Sequence, residues 1–443
     1  MTEAAAFVKP GLILGLTIAL ALTRPQLASL RIGIAGAGLL GAGLTLATGA
    51  VSPTIALHTL ERLVEPLVTI VALMTITLSA AQVGLLDRLA YGVARAANGD
   101  ARRLFSLVFW SGAAVGALFT NDAAILLFTP MVLIMMDRIS LPDWGLRQRL
   151  PYYFAVLYVG NLVGAFVISN PINIVAASFF DIDFVQYSAW MLLPALASMG
   201  VSWAGLRWVF RRDLPQHCAV LDVSERPIPK DPPLFWGTAA ILGITLVGFM
   251  TERVTGLSTW MVASLAALAL LMLLATRGHR LMPIIGRVDW HVLIFVCGII
   301  IVTVGLRNAG LAHLMGGWIG VLGGETMAGM LFATSTLSAV SSAFINNHST
   351  VGIMIWVIQD FELGSLQQEL MVYAALIGGD LGPKMLPIGS LAALMWFRML
   401  HVHGVHVAVL RYIAIGIPIT MVAVLLSTAI LVFQWWLVRG VLS

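Results

Sequence analysis

Apolar residues run in long blocks from one end of the chain to the other, with only short polar punctuation between them. Blocks near 10–22, 31–51, 66–82, 187–210, 234–250, 258–276, 290–306 and 409–437 read as helices that cross a hydrocarbon core of about 30 Å. Two more, 152–180 and 370–397, are interrupted midway by glycine, proline and asparagine. Each predicts a spanning helix unwound at depth, a break tolerated only where it is buried or lines a cavity. The segments around 84–98 and 308–320 read as helices lying along the interface.

The blocks 104–136 and 327–358 need a different reading. As one straight helix, 104–136 would be about 50 Å long, too long for the core. Its flanks 83–103 (Arg88, Arg95, Arg102 and Arg103 against Asp87 and Asp100) and 137–149 (Arg138, Arg147 and Arg149 against Asp137 and Asp143) are both basic. Basic loops mark the cytoplasmic side, so the segment enters and leaves on one face. Two half-helices meeting at Thr120-Asn121-Asp122 meet both constraints, giving a re-entrant hairpin. By the same reasoning 327–358 is a hairpin from the other face, with its tip at Asn346-Asn347-His348.

These interruptions come in pairs. Phe119-Thr120-Asn121-Asp122 is answered by Phe344-Ile345-Asn346-Asn347-His348, and the Gly160–Asn173 break by Gly378–Ser390, at an offset that drifts from 226 to 218 residues along the chain. Loop charge reverses between the copies. The counterpart of 137–149, residues 359–369, carries Asp360, Glu362 and Glu369 with no basic residue. The 277–290 loop has Arg277, Arg280 and Arg287 against Asp289, while its counterpart at 53–65 is near neutral. Opposite bias at equivalent positions is the mark of a duplicated unit inserted upside down. The expected fold is an all-α membrane protein of about ten transmembrane helices plus two re-entrant hairpins in two inverted-topology repeats. Residues 1–210 form the first repeat, 211–233 a polar, proline-bearing cytoplasmic linker, and 234–443 the second repeat.

Composition narrows the function. The chain is 59% hydrophobic and 10% charged, which excludes a soluble globular domain, and a net charge of +4 scattered over loops gives no nucleic-acid surface. The first residues, with Glu3 and Lys9, do not read as a cleavable leader. Cys218 and Cys297 lie far apart, without metal-ligand spacing, and are not expected to form a disulfide. His401, His403 and His406 sit with Arg398 and Arg411 at a predicted wet boundary rather than in a metal site. No phosphate loop, serine nucleophile elbow or zinc-protease motif is present, so the chain is not read as an enzyme and needs no cofactor. Its energy comes from an ion gradient or from a separate subunit.

Polar side chains at membrane depth are costly and sit where solute or protons pass. Thr120, Asn121, Asn346 and Asn347 at the tips, and Asn161, Ser169, Asn170, Asn173 and Ser390 at the breaks, are the candidate substrate ligands. The plainer account of any one of them is capping of a helix end; adjacent pairs at both tips fit capping less well. Asp122 is the first candidate proton carrier and Asp380 the second, because Lys384, four residues on, would form a structural ion pair with Asp380 if that stretch is helical. His348 either titrates or hydrogen-bonds at its turn.

At these residues the chain resembles the arsenical-pump (ArsB) family of arsenite and antimonite efflux proteins, within the ion-transporter superfamily. The resemblance rests on Asn121-Asp122 with Thr129-Pro130, on Ile168-Ser169-Asn170 through Asn173-Ile174-Val175 to Phe179-Phe180, on Asn346-Asn347 with Thr350-Val351, and on Asp380-Leu381-Gly382-Pro383-Lys384 through Pro387-Ile388-Gly389-Ser390-Leu391. It implies a multi-pass protein of the bacterial inner membrane. That protein would export trivalent arsenic and antimony in exchange for protons, in some cases joined to a cytosolic ATPase. The chain departs from the family pattern at His348-Ser349, where Met-Pro is common, and at Pro171, where an apolar residue is usual. A sodium-coupled carboxylate or sulfate transporter is the alternative within the superfamily, although a carboxylate at the tip would repel an anion. A sodium/proton antiporter is the third reading, and from another class, a bare membrane anchor for an ATP-driven complex.

Overall fold

The computed structural model describes residues 3–27, 30–220, 229 and 231–442. The side chain of Asp122 lies outside that description, as do Asp222, Glu225, Arg226 and Lys230 of the central polar stretch. The first half comprises α1 (Glu3–Thr23), α2 (Ile34–Ala47), α3 (Pro53–Arg62), α4 (Val64–Gln82), α5 (Leu85–Ala97), α6 (Ala101–Leu118), α7 (Asn121–Ile139), α8 (Leu146–Val159), α9 (Pro171–Phe179) and α10 (Phe184–Val209). The second comprises α11 (Pro232–Met250), α12 (Glu252–Thr255), α13 (Thr259–Thr276), α14 (Met282–Ile285), α15 (Trp290–Asn308), α16 (Leu311–Gly323), α17 (Met327–Ile345), α18 (Asn347–Gln359), α19 (Ser365–Leu381), α20 (Leu391–Val402) and α21 (Val409–Leu442). The described extended structure is one two-residue antiparallel pair, Gln26–Leu27 with Leu30–Arg31, ahead of α2. Among the described residues, seven helices are long and apolar enough to cross a membrane: α4, α10, α11, α13, a continuous 282–308 stretch, α17 and α21.

The order from α4 to α10 repeats from α15 to α21: a span, a short helix, two hairpin arms, a broken helix and a long span. Packing is reciprocal as well. α2 lies on α15 as α13 lies on α4, and α9 lies on α18 as α20 lies on α7. Each hairpin's second arm therefore leans on the second part of the other half's broken helix. The contacts define a pseudo-two-fold between the halves, and the reversed loop charge sets its axis in the membrane plane.

Two expected spans change shape. The 31–51 block is helical only over α2, because the strand pair occupies its start and the chain turns at Gly49, whose φ of 69° suits glycine. The hairpin arms α6 and α7 are 18 and 19 residues long, about 27 Å each, more than half of the hydrocarbon core. The base of that hairpin therefore stands at the aqueous surface, where Arg102, Arg103, Asp137 and Arg138 belong.

The start of the polar stretch between the halves is bound to that base. Ala101 N–H donates to Gln216 O (3.1 Å), Cys218 N–H to Gly99 O (2.9 Å) and Ala219 N–H to Ile139 O (2.9 Å). Within the same stretch, Asp213 accepts from Arg147 at 2.8 Å and from Arg411 of α21 at 3.2 Å, joining the two halves at this face.

Small residues bring α17 and α19 together. A Cβ at Gly378 would collide with Ser335 O and Ala339 N, and one at Gly382 with Ala339 O. Ser338 Oγ donates to Ala375 O (2.7 Å) and Ser342 Oγ to Gly379 O (2.8 Å). Dispersion and hydrogen bonds between closely approaching backbones hold helices together where lipid removes the hydrophobic drive. Gly378 and Gly382 thus serve packing.

Candidate functional site

α8 stops at Val159, and the chain runs without α-helix to Pro171, apart from a 3-10 turn at Val167–Ser169. Such a break exposes backbone N–H and C=O groups at depth, and each needs a partner. One partner comes from the other half. Asp380, in the last turn of α19 and 1% exposed, accepts from Gly164 N–H (Oδ2, 3.1 Å), Asn170 Nδ2 (Oδ1, 2.7 Å) and Asn173 Nδ2 (Oδ2, 3.0 Å). All three donors belong to the first half. Asn173 Nδ2 also donates to Tyr187 Oη (3.0 Å), whose hydroxyl donates to Gly164 O (3.3 Å), so α10 closes the ring of contacts.

The remaining candidates fall into two groups. Asn121 Nδ2 donates to Leu162 O (3.2 Å), placing the first hairpin tip at the depth of the break. Ser169 Oγ donates to Ala117 O (3.0 Å), and Asn170 caps α9 through Ile172 N–H (3.3 Å). Thr120 is buried beside them. Ser390 caps α20 through Ala393 N–H (3.0 Å) and donates to Asn161 Oδ1 at 3.4 Å, a second bridge between the two breaks. These side chains are committed to protein partners.

The second tip differs. Asn346, at φ 66° and ψ 167°, adopts a backbone conformation that few residues other than glycine tolerate, and its Oδ1 caps α18 through Ser349 N–H (3.0 Å). Asn347 Oδ1 accepts from His348 N–H (3.0 Å) and lies 2.8 Å from His348 Nδ1, while the imidazole packs edge-on against Phe295. Asn346 Nδ2, His348 Nε2, Ser349 Oγ and Thr350 Oγ1 are buried without hydrogen-bond partners, as are Asn161 Nδ2 and Asn173 Oδ1 at the first break. Unsatisfied groups at this density are unusual in a folded protein. Among the described residues, no hydrogen bond joins Asn346, Asn347 or His348 to Asp380.

One expectation is corrected. Asp380 and Lys384 do not form an ion pair: among the described residues, no carboxylate oxygen lies within 4.0 Å of Lys384 Nζ, which has no hydrogen-bond partner and sits 5.1 Å from the Tyr158 ring centroid. α19 ends at Leu381 and Gly382–Lys384 is a 3-10 turn, so the shared face that a four-residue spacing gives in an α-helix is lost. Sequence reasoning also passed over Tyr187 and Tyr158, and named Ser349 and Thr350 without counting them among the candidate ligands. A tyrosine inside an apolar block, away from the interfacial belts, was the available signal, since its hydroxyl needs a partner at depth. Cys218 and Cys297 are both free thiols.

A cleft of about 230 Å³ reaches Val167 and Ile174 beside the first break; its rim carries Glu65, Asp181, Asp183 and Glu252.

An all-helical membrane body in two reciprocal halves, with two hairpins and two unwound helices converging on buried polar groups, is that of a polytopic membrane transporter. Residues 10–437 match the family described as arsenical pump membrane protein, and the chain belongs to that family. It is 32% identical to the arsenical pump membrane protein of Escherichia coli K12, over 96% of this chain and 98% of that one. It is also 32% identical to the Yersinia enterocolitica protein of the same description, over 83% and 85%. A putative arsenical pump membrane protein of Bacillus subtilis is 23% identical over 83% and 86%. The fold resembles the crystal structure of the Alcanivorax borkumensis YdaH transporter, with a TM-score of 0.54 at 14% identity, over 99% of this chain and 98% of that one.

Proposed function

We propose that the chain exports trivalent arsenite and antimonite from the cytoplasm across a bacterial inner membrane in exchange for protons. The observation that carries this reading is the set of uncharged, unpartnered donors and acceptors at Asn161, Asn173, Asn346, His348, Ser349 and Thr350, in a chain of the arsenical pump family. Trivalent arsenic in neutral water is mostly an uncharged trihydroxide, which offers hydroxyl donors and acceptors to such groups and adds no charge to bury. An anionic substrate would meet the Asp380 carboxylate at depth instead. Asn161, Asn173, Asn346 and Asn347 then contact the solute. Thr120, Asn121, Ser169, Asn170 and Ser390 shape its walls, and Asp122, Asp380 and His348 line the proton's route.

Arsenite uptake into inside-out vesicles under an imposed pH gradient tests this. Wild type accumulates arsenite with the gradient, and Asp122→Asn, still folded, does not. Absence of arsenite flux in wild type would defeat the substrate assignment and turn attention to sodium-driven anion flux. Uptake by the purified chain in liposomes with only a pH gradient would show that no ATPase subunit is required.

Transport on this reading needs no thiol. Cys218 lies outside the spans, and burial with the nearby Asp100 charge pushes its thiol pKa up, away from the thiolate that binds arsenic. A double replacement of Cys218 and Cys297 by serine is expected to export arsenite within about twofold of wild type, and abolished export would contradict the amide-and-hydroxyl site.

A further inference from the structure

The structure holds two formal charges deep in its second break, and they are treated very differently. Asp380 is satisfied on both oxygens by the first half. Lys384, also 1% exposed, has nothing comparable: its Nζ lacks any hydrogen-bond partner and faces the Tyr158 ring. Two hydroxyls around its turn are engaged elsewhere, Tyr158 Oη donating to Ile415 O (3.2 Å) and Tyr412 Oη to Pro383 O (3.2 Å). Among the described residues, Asp380, Tyr158 and Tyr412 are the titratable groups around that turn, from α19, α8 and α21. From α17 it meets small residues such as Ala339 and Ser342 packed on its turn.

An ammonium group carries three N–H donors, and leaving all of them unmade at depth is heavily penalised. A ring face offsets only part of that. A neutral amine is penalised less, since it brings no charge to bury. Lys384 is a basic group whose nitrogen has no hydrogen-bond partner, while every bond that Asp380 makes is one it accepts. Asp380 Oδ1 accepts a single bond and has room for another.

We propose that Lys384 carries the exchanged proton and that Asp380 is the latch it acts on. A proton arriving from the opposite side adds to Nζ, and the resulting ammonium turns to the carboxylate four residues away. It then competes with Asn170, Asn173 and Gly164 for the same oxygens. The contact between the halves loosens, the solute site reorients, and release of the proton restores the latch. Proton and solute thus compete through one inter-half contact without sharing a ligand. This rests on the proton-exchange reading above.

The test separates coupling from binding in proteoliposomes. Two quantities are read on purified wild type, Lys384→Gln and Lys384→Arg: pH-gradient-driven arsenite uptake with its proton flux, and arsenite–arsenite exchange at equal pH on both sides. The neutral variant cannot load a proton and the arginine variant cannot shed one. Both are expected to lose gradient-driven uptake and arsenite-dependent proton flux while retaining exchange. The arginine variant decides the matter where the glutamine variant does not fold. Wild-type proton-coupled uptake in a folded variant would overturn the assignment, as would loss of exchange together with uptake, which marks a structural role. Wild type lacking arsenite-dependent proton flux would sink the proton-exchange reading itself, an outcome distinguishable from either.

Discussion

Asp380→Asn is expected to abolish gradient-driven export and to lower the melting temperature of the purified protein. The carboxylate accepts three N–H donors on two oxygens. An asparagine offers one oxygen and one amide nitrogen, so either orientation sets N–H against N–H. With its oxygen toward Gly164 and Asn173, the new amide faces Asn170; turned round, it faces the other two. Each buried donor left unmade costs about 1–3 kcal/mol, and here the contact removed is one of those that join the halves at depth. Uptake assays and thermal melts on the same preparation check this, with Asp380→Glu as the charge-preserving control. An asparagine variant that exports like wild type would remove Asp380 from both coupling and inter-half contact.

The second large effect is structural. Gly378→Val should fail to accumulate as folded protein, because its Cβ would occupy the place of Ser335 O and Ala339 N on α17. Overpacking of a side-chain contact costs about 1–3 kcal/mol, and here backbone rather than a mobile side chain must yield. Separation of α17 from α19 would also break the Ser338–Ala375 and Ser342–Gly379 hydrogen bonds. Fluorescence-detected size exclusion of a tagged protein reads the outcome. Gly43→Ala, with open space around the added methyl, is the neutral comparison. Normal yield of Gly378→Val would show that the two helices are less closely bound than their geometry indicates.

Much of the architecture was legible because a bilayer imposes it. Helices of fixed length, hairpins forced by like-charged flanks, and breaks marked by Gly160, Asn170, Gly378 and Pro387 follow from local composition. The contacts that define the site are not local. Asp380 meets Asn170 and Asn173 across more than 200 residues of chain, and no spacing rule reaches that far. Lys384 was misplaced for a smaller reason: the pairing rule assumes an α-helix, and α19 ends three residues before it. Capping, weighed as the plain alternative for the amides, accounts for Asn170, Ser390 and Asn346, and two of these bond across the pseudo-two-fold as well. Tyr187 went unnoticed because a single hydroxyl in an apolar run looks like core.

At its two breaks the doubled frame carries formal charge on one side only, Asp380 and Lys384 in the second and no charged residue in the first. At an offset of 218 residues Leu162 stands where Asp380 does and Phe166 where Lys384 does, while Asn170 and Ser390 match as the N-caps of α9 and α20. Two identical halves would have set a second aspartate two residues from Gly164, whose N–H already serves the first, and would have removed the amides that receive it. Paired like charges that close in a dry interior repel strongly. Two copies of either half could therefore not form the present arrangement. The first half's break instead supplies the amides that receive Asp380, so the halves share a shape without being interchangeable.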